Sequence, residues 1–225
     1  MAGHRLFCLM AKITAIEPQR HNPDRVNIHL EGNYAFGLTR LTAAWLKVGQ
    51  ELSNDRIMSL QVEDDHERAY QQAMIYLSYR ARSESEIRKN LSKHEFAQDV
   101  IEHTIERLRE NRLADDKQFA RAWVENRTAF RPRSRRALQM ELRQKGLSDE
   151  ATQSALEGLN EEALAYEAGL KQARRLRSKE WSEFRKKISE HLARRGFSYS
   201  VVSAVVSRIW NETHTEQKIN DEEYI

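Results

Sequence analysis

The feature that most constrains the fold is a pattern of apolar residues that occurs three times, about 50 residues apart. Each copy has six positions; the second copy lies 51 residues after the first, and the third 50 residues after the second. Seventeen of the eighteen positions are apolar, and the exception is Thr152. Because one such unit cannot bury its apolar face alone, we expect the copies to stack. The positions are Ile87, Leu91, Phe96, Ile101, Ile105 and Leu108, then Leu138, Leu142, Leu147, Thr152, Leu156 and Leu159, then Ile188, Leu192, Phe197, Val202, Val206 and Ile209.

A break inside each copy predicts that one helix ends and another begins there. Gly146 and Gly196 occupy the place where a residue with positive φ ends a helix. The first copy has Glu95 instead, which is expected to cost some stability because a side chain disfavours that conformation. Ser83, followed three residues later by Glu86, predicts a capping box at the start of the first pair.

A further helix is predicted before each pair, which makes each copy a three-helix unit. The predicted fold is mainly α, with three tandem three-helix repeats forming a curved, elongated solenoid after a small N-terminal module that contains a β-hairpin. The apolar residues assigned to these first helices are Tyr70, Ala73, Met74 and Leu77, then Phe119, Ala122 and Trp123, then Ala165, Ala168 and Leu176. The predicted segments are residues 1–62 for the module, 66–112, 113–160 and 161–210 for the repeats, and 211–225 for an acidic tail.

The N-terminal module differs from the rest because it holds two of the three prolines and half of the eight glycines. Apolar residues alternate on both sides of a turn within residues 25–38, which predicts a β-hairpin. We expect a third strand over residues 13–17 and a short helix over 41–47. The run Glu63–Asp65 is interpreted as the boundary with the helical part, and the acidic cluster at 64–67 as a helix start.

Composition argues against secretion, membrane insertion and disulfide bonding. The chain has 225 residues, of which 32% are charged and 40% hydrophobic, with a net charge of +3. No apolar run approaches the roughly 18–20 residues that cross a bilayer, and the apolar segment 6–11 is short for a signal peptide. Cys8 is the single cysteine. These features predict a cytoplasmic protein.

Catalytic chemistry finds little support in the sequence. His21, Asp24 and His29 lie near the hairpin, but their spacing matches no metal site. Asp115 is explained as a helix N-cap, and no glycine-rich phosphate loop occurs between Gly49 and Gly146. We therefore predict no catalytic residues, no metal and no cofactor, and expect that the protein is not an enzyme.

The distribution of charge indicates a binding surface. Residues 119–147 carry eight basic and two acidic residues, and residues 171–195 carry ten basic and three acidic residues. The sequence Arg-Ala-Arg-Ser at 80–83 recurs as Arg-Pro-Arg-Ser at 131–134, with a relative at 175–178. These clusters could be solvated helix faces, but their recurrence favours contacts with phosphates or with carboxylates of a partner. The predicted binding residues are Arg80, Arg82, Arg131, Arg133, Arg135, Arg136, Lys171, Arg174, Arg175, Arg177, Arg194 and Arg195.

Four segments resemble motifs of the RecX family of bacterial recombination regulators, in the family's order: residues 76–87, 113–120, 141–147 and 194–199. The resemblance covers about residues 66–210, and the N-terminal module is similar to an extension of longer members. It departs from the family chiefly at Glu95, where a glycine is common.

The resemblance implies a regulator that binds the RecA recombinase filament on single-stranded DNA and inhibits filament growth, ATP hydrolysis, strand exchange and co-protease activity. It also implies roles in DNA repair and the SOS response, and it supplies no catalytic residues. We expect a monomer with no membrane partner and with a weak direct contact to DNA. The alternative is a module that binds single-stranded or duplex DNA directly. Such a module would show steep salt dependence on naked DNA and no extra affinity for the filament.

Overall fold

The computed structural model of the protein describes residues 10–176 and 178–222, with side chains described as far as residue 213. The described residues form two units. The first holds those up to Arg82 together with Ile87–Ala114, and the second holds Ser83–Glu86 together with the chain from Asp115 onward.

An antiparallel sheet of four strands begins the first unit. The strands are β1 (Met10–Gln19), β2 (Asn22–Leu30), β3 (Asn33–Thr39) and β4 (Glu51–Ser53), in the order β3-β2-β1-β4. The predicted hairpin and third strand are confirmed, with Ile28 opposite Phe36 across the β2–β3 pair. Val26 and Ile28 of β2 and Phe36 and Leu38 of β3 are buried, which is the period-two pattern that the sequence shows. Strand β4 was not predicted because it has only three residues.

The helix predicted over residues 41–47 is wrong. That segment is a series of turns, in which the backbone N–H of Ala43 donates to the carbonyl oxygen of Thr39 and the N–H of Leu46 donates to that of Ala43. The Thr39 hydroxyl also accepts a hydrogen bond from the N–H of Thr42. Residues 40–50 join β3 to β4 and must reverse the direction of the chain. Successive turns make this reversal, whereas a helix would carry the chain away from the sheet.

The helix start predicted at residues 64–67 is also wrong, because helix α1 (Asn54–Ser78) begins ten residues earlier and runs through that segment. Asp64 is buried inside the unit, where its carboxylate accepts hydrogen bonds from Arg25 and from the backbone N–H of Thr39. One residue of the acidic cluster, Asp64, therefore links helix α1 to the sheet by hydrogen bonds. The N-cap of α1 is Ser53, whose hydroxyl accepts from the N–H of Arg56.

Nine helices follow the sheet in the described part of the chain, in three sets of three, which confirms the predicted fold class. Residues 211–222, part of the predicted acidic tail, continue the last helix. The bounds after α1 are α2 (Glu84–Lys93), α3 (Gln98–Glu110), α4 (Asp116–Phe130), α5 (Arg135–Gln144), α6 (Asp149–Leu156), α7 (Glu161–Ala173), α8 (Trp181–Ala193) and α9 (Tyr199–Glu222).

The apolar repeat positions form the cores of the helical sets. Sixteen of the eighteen are buried, and Phe96 and Leu159 are half-buried. Two residues assigned to the first helices are exposed instead, namely Met74 and Ala122. Their places in the core are taken by Ala69 and Ala120, both fully buried. The difference arises because, over a short segment of sequence, the apolar residues can be assigned equally well to two adjacent faces of the helix.

The turn that closes the second helix of each set has the predicted geometry. The N–H of the residue after the turn donates to the carbonyl oxygen five residues earlier, at 3.4 Å for Phe96, 3.2 Å for Leu147 and 3.3 Å for Phe197. This is the Schellman bond, and it requires a residue with positive φ before the donor. Gly146 and Gly196 have φ of 79° and 88°, and Glu95 adopts the same conformation at 63°. The capping box is confirmed as well, since Ser83 and Glu86 exchange hydrogen bonds between side chain and backbone.

Thr152, the polar exception in the apolar repeat, is completely buried and its Oγ1 has no hydrogen-bond partner among the described residues. Its counterparts in the other copies are Ile101 and Val202, both buried. We expect Thr152→Val to raise the free energy of unfolding by about 1 kcal/mol, because it removes an unsatisfied hydroxyl from the core. Urea unfolding followed by circular dichroism measures this change.

Thr104→Val is the matched control for that substitution. Thr104 is also buried, but its hydroxyl donates to the carbonyl oxygen of Val100 at 2.8 Å. Because that hydroxyl makes a hydrogen bond, its removal is expected to give no gain and to lower the free energy of unfolding by up to about 1.5 kcal/mol. A Thr152→Val protein less stable than the unsubstituted chain would contradict the expectation.

Candidate anion-binding site

Both copies of the Arg-X-Arg-Ser motif lie between the first and second helices of a set, and their serines are structural. Ser83 and Ser134 are fully buried. Each hydroxyl accepts a hydrogen bond from the backbone N–H three residues later, that of Glu86 at 3.2 Å and that of Ala137 at 3.1 Å. The serines thus fix the direction in which each second helix leaves the motif.

The same serines contact the turn that ends the second helix of the following set, and both contacts lie within the second unit. At the first contact, called here the Lys145 junction, the Ser83 hydroxyl donates to the carbonyl oxygen of Lys145 at 2.6 Å. At the second, called the Arg195 junction, the N–H of Ser134 donates to the carbonyl oxygen of Arg195 at 3.1 Å.

A glycine allows the close approach at each junction. A Cβ at Gly146 would lie 2.3 Å from the Ser85 side chain, and a Cβ at Gly196 would lie 2.7 Å from the Ser134 hydroxyl. The repeat therefore fixes a basic residue, Lys145 or Arg195, at equivalent positions against the N-terminal turn of a helix.

The two junctions differ in one charge. Lys145 Nζ forms an ion pair with Glu86 at 2.7 Å, and both side chains are largely buried. The residue equivalent to Glu86 at the Arg195 junction is Ala137, 51 positions later. No carboxylate stands there, and Arg195 Nε is buried without a hydrogen-bond partner among the described residues. The first junction is neutralised by Glu86, whereas at the second no ion pair with a described residue compensates the charge of Arg195.

Other arginines surround Arg195 and make the junction electropositive. Burial lowers the pKa of Arg195, and the positive charges of Arg133, Arg194 and Arg131 lower it further. The pKa of His191 is also lowered, by burial and then by Arg195 and Arg194. These side chains would repel one another less if an anion lay among them.

Arg133 is tied to the protein by a carboxylate. Its Nη1 lies 3.0 Å from an oxygen of Glu141, whose other oxygen accepts from Arg127 Nε at 2.7 Å and from Trp123 Nε1 at 2.8 Å. Glu141 is thus the acceptor of three donors, and only 14% of its side chain is exposed. This network leaves Arg131, Arg194 and Arg195 as the members of the cluster without an ion pair in the described part of the chain.

The remaining predicted binding residues do not form one continuous set. Arg82 stacks on the Tyr76 ring at 4.0 Å, and Arg80 donates to the carbonyl oxygen of Ala81. Arg135 donates to the carbonyl oxygen of Leu159, three residues beyond the end of α6, and Arg136 is exposed. Lys171, Arg174 and Arg175 are exposed near the end of α7, whereas Arg177, like Cys8, lies outside the described residues.

Sequence reasoning missed two exposed aromatic residues that precede the motif. Tyr79 and Phe130 lie 51 residues apart, and 78% and 76% of their surfaces are exposed. The repeat spacing could have revealed them, because it extends the recurring motif by one residue to aromatic-Arg-X-Arg-Ser. They belong neither to the apolar core positions nor to the basic residues, which were the two signals behind the prediction.

The described residues contain no group of three or more histidine, cysteine and carboxylate side chains arranged to hold a metal ion. His29 lies 3.8 Å from Glu17, and Asp64 is occupied by Arg25 as described above. Among the described helices, none is long and apolar enough to cross a membrane.

Comparison with family models assigns each part of this architecture. The model of the regulatory protein RecX N-terminal domain matches residues 11–53, and the models of the first, second and third RecX three-helix domains match residues 69–108, 115–156 and 160–206. The chain belongs to the RecX family. The sheet and the three helical sets thus correspond to family domains in the same order.

Individual relatives agree with this assignment and are named regulatory proteins. The chain is 35% identical to regulatory protein RecX of Bacillus licheniformis over 88% of this chain and 77% of the relative. It is 33% identical to that of Bacillus subtilis over 93% of this chain and 82% of the relative. Both relatives are named as regulatory proteins and not as enzymes.

Solved structures of RecX proteins share the fold. A crystal structure of regulatory protein RecX aligns with a TM-score of 0.66 and 30% identity, covering 87% of this chain and 98% of that chain. RecX from Lactobacillus salivarius aligns with a TM-score of 0.58 and 24% identity over 65% of this chain and 97% of its own.

Proposed function

We propose that this protein is a non-enzymatic regulator of the RecA recombinase, which it inhibits by binding the RecA filament on single-stranded DNA. Inhibition would extend to filament growth, ATP hydrolysis, strand exchange and co-protease activity, in the cytoplasm and with a monomeric protein. Membership of the RecX family supports the regulatory role. The observation that carries the proposal is the Arg195 junction, where Arg131, Arg194 and Arg195 lie together without an ion pair to any described residue.

The basic residues of the protein complement the negative charge of the filament. A filament of protein on DNA displays phosphates and carboxylates in a regular array, and a repeat protein can place cations at matching intervals. The Lys145 junction contributes less because Glu86 already neutralises it. The predicted binding residues therefore contribute unequally, with Arg131 and Arg194 foremost because they are exposed and form no ion pair with the described residues.

A titration of RecA ATPase on single-stranded DNA tests the proposal. The unsubstituted chain is expected to inhibit ATP hydrolysis. Arg131→Glu combined with Arg194→Glu is expected to raise the concentration for half-inhibition by about tenfold or more, because reversing charges at a contact removes attraction and adds repulsion. Circular dichroism and thermal melting should be nearly unchanged, since both side chains are exposed.

The charge-matched control is Lys47→Glu combined with Lys89→Glu. Both lysines are exposed and lie outside the predicted binding residues. The control is expected to inhibit like the unsubstituted chain, although its net charge changes by the same amount. If the two double variants inhibit equally, the Arg195 junction does not contact the filament. Absence of inhibition by the unsubstituted chain would refute the regulatory proposal itself.

A further inference from the structure

An exposed aromatic residue directly precedes one of the arginines of the Arg195 junction along the chain. Helix α4 ends at Phe130, and 76% of this residue is exposed. The next residue, Arg131, is close enough to Arg195 to lower its pKa. A single exposed ring is ordinary on a protein surface. An exposed ring one residue away from Arg131, which like Arg194 and Arg195 has no ion pair among the described residues, is a combination that points to a ligand.

The cluster lacks a negative charge that the repeat provides elsewhere. At the Lys145 junction, Glu86 pairs with the basic residue, whereas Ala137 stands at the equivalent place near Arg195. Glu141 is occupied by Arg133 and Arg127. In the described part of the chain, no carboxylate forms an ion pair with Arg131, Arg194 or Arg195. The missing charge can be supplied by a ligand that carries several negative groups.

The ring and the cations together select among anionic ligands. A carboxylate of a protein partner would satisfy one guanidinium and leave the ring unused. Duplex DNA would offer phosphates, but its bases are stacked inside and present no face to Phe130. A single strand offers both, because its phosphates pair with guanidinium groups and its free bases stack on aromatic side chains.

We propose that the Arg195 junction is a binding site for single-stranded nucleic acid, in which Arg131, Arg194 and Arg195 contact phosphates and Phe130 stacks on a base. The inference rests on the proposed function in one respect: it assigns the arginines of this contact surface to the strand rather than to the recombinase. Arg133 is left out of the phosphate contacts, because its guanidinium is already paired with Glu141.

The test measures binding of the full chain to a fluorescein-labelled oligothymidine by fluorescence anisotropy, without RecA and over a range of salt concentrations. Phe130→Ala is expected to weaken binding about 5- to 150-fold, the range that corresponds to loss of one stacked base. The slope of log Kd against log salt concentration should stay unchanged, since no charge is removed. Arg131→Gln with Arg194→Gln should reduce the magnitude of that slope by about 1.4, or about 0.7 for each phosphate that is no longer neutralised.

Two substitutions in the same helical set provide matched controls. Met140→Ala shortens another exposed apolar side chain, and Arg143→Gln removes an arginine that is already paired with Asp149 at 3.0 Å. Both are expected to leave affinity and salt slope close to those of the unsubstituted chain. A blunt duplex of equal length is expected to bind with an affinity that does not depend on Phe130.

The outcomes separate this inference from the proposed function. Oligothymidine binding that is unaffected by Phe130→Ala, or is reduced equally by the controls, overturns the strand-binding site. If the arginine pair is needed for ATPase inhibition but not for oligothymidine binding, the arginines contact the recombinase; the inference then fails while the proposed function stands. If oligothymidine binding changes as expected but the unsubstituted chain leaves RecA ATPase unaffected, the site stands and the proposed function fails.

Discussion

Replacing Gly146 with alanine is expected to lower the free energy of unfolding by about 2–5 kcal/mol, the sum of two costs. Gly146 has a φ of 79°, where a side chain costs about 1–2 kcal/mol. The new Cβ would also lie 2.3 Å from both Cβ and Oγ of Ser85, and relieving such an overlap typically costs about 1–3 kcal/mol. Urea unfolding monitored by circular dichroism measures the sum.

Gly158→Ala separates the two costs, because Gly158 has a φ of 71° and nothing lies within 4 Å of its added Cβ. This control should lose only the conformational part, about 1–2 kcal/mol. Gly196→Ala should resemble Gly146→Ala, since its Cβ would lie 2.7 Å from the Ser134 hydroxyl. Equal losses of unfolding free energy for Gly146→Ala and Gly158→Ala would show that the Lys145 junction accommodates the added Cβ without cost.

The helical repeat could be predicted in detail because local rules and burial specify the same residues. Leu91, Leu142 and Leu192 occur at one repeat position, and all three are fully buried. The turn after each is closed by the same backbone bond, even where Glu95 replaces glycine. Spacing of apolar residues and turn chemistry were therefore sufficient for this part of the fold.

Helix α1 shows where local rules fail. The acidic run around Asp64 has the composition of a helix N-terminus, yet Asp64 lies in the middle of α1 because it binds Arg25 and the backbone N–H of Thr39. Those partners are 39 and 25 residues away along the chain. Only the packing of the helix against the sheet brings them together, and no local pattern encodes that contact.

The candidate site was predictable as a composition but not as an arrangement. The local density of charge groups Arg133 and Arg135 with Arg131, but Arg133 is paired with Glu141 and Arg135 donates to the carbonyl oxygen of Leu159. Reversing all four arginines from 131 to 136 would therefore also disturb the fold. The sequence shows Ala137 at the repeat position equivalent to Glu86. The effect of this difference on charge becomes clear only once Lys145 and Arg195 are known to face those positions.

Leu142→Ala is expected to destabilise the protein by about 2–5 kcal/mol, because it leaves a cavity in a core that close neighbours fill. Leu142 is fully buried among Phe119, Val124 and Leu138. Leu147, which follows the turn that forms the Lys145 junction, belongs to the same core, and its N–H donates to the carbonyl oxygen of Leu142. The same unfolding titration measures the loss. The control is Met140→Ala on the same helix. Its stability is expected to lie within about 0.5 kcal/mol of the unsubstituted chain, because Met140 is 53% exposed. Comparable losses for the two variants would mean that the repeat position does not form the core, and the tandem arrangement that places Arg195 would lose its physical basis.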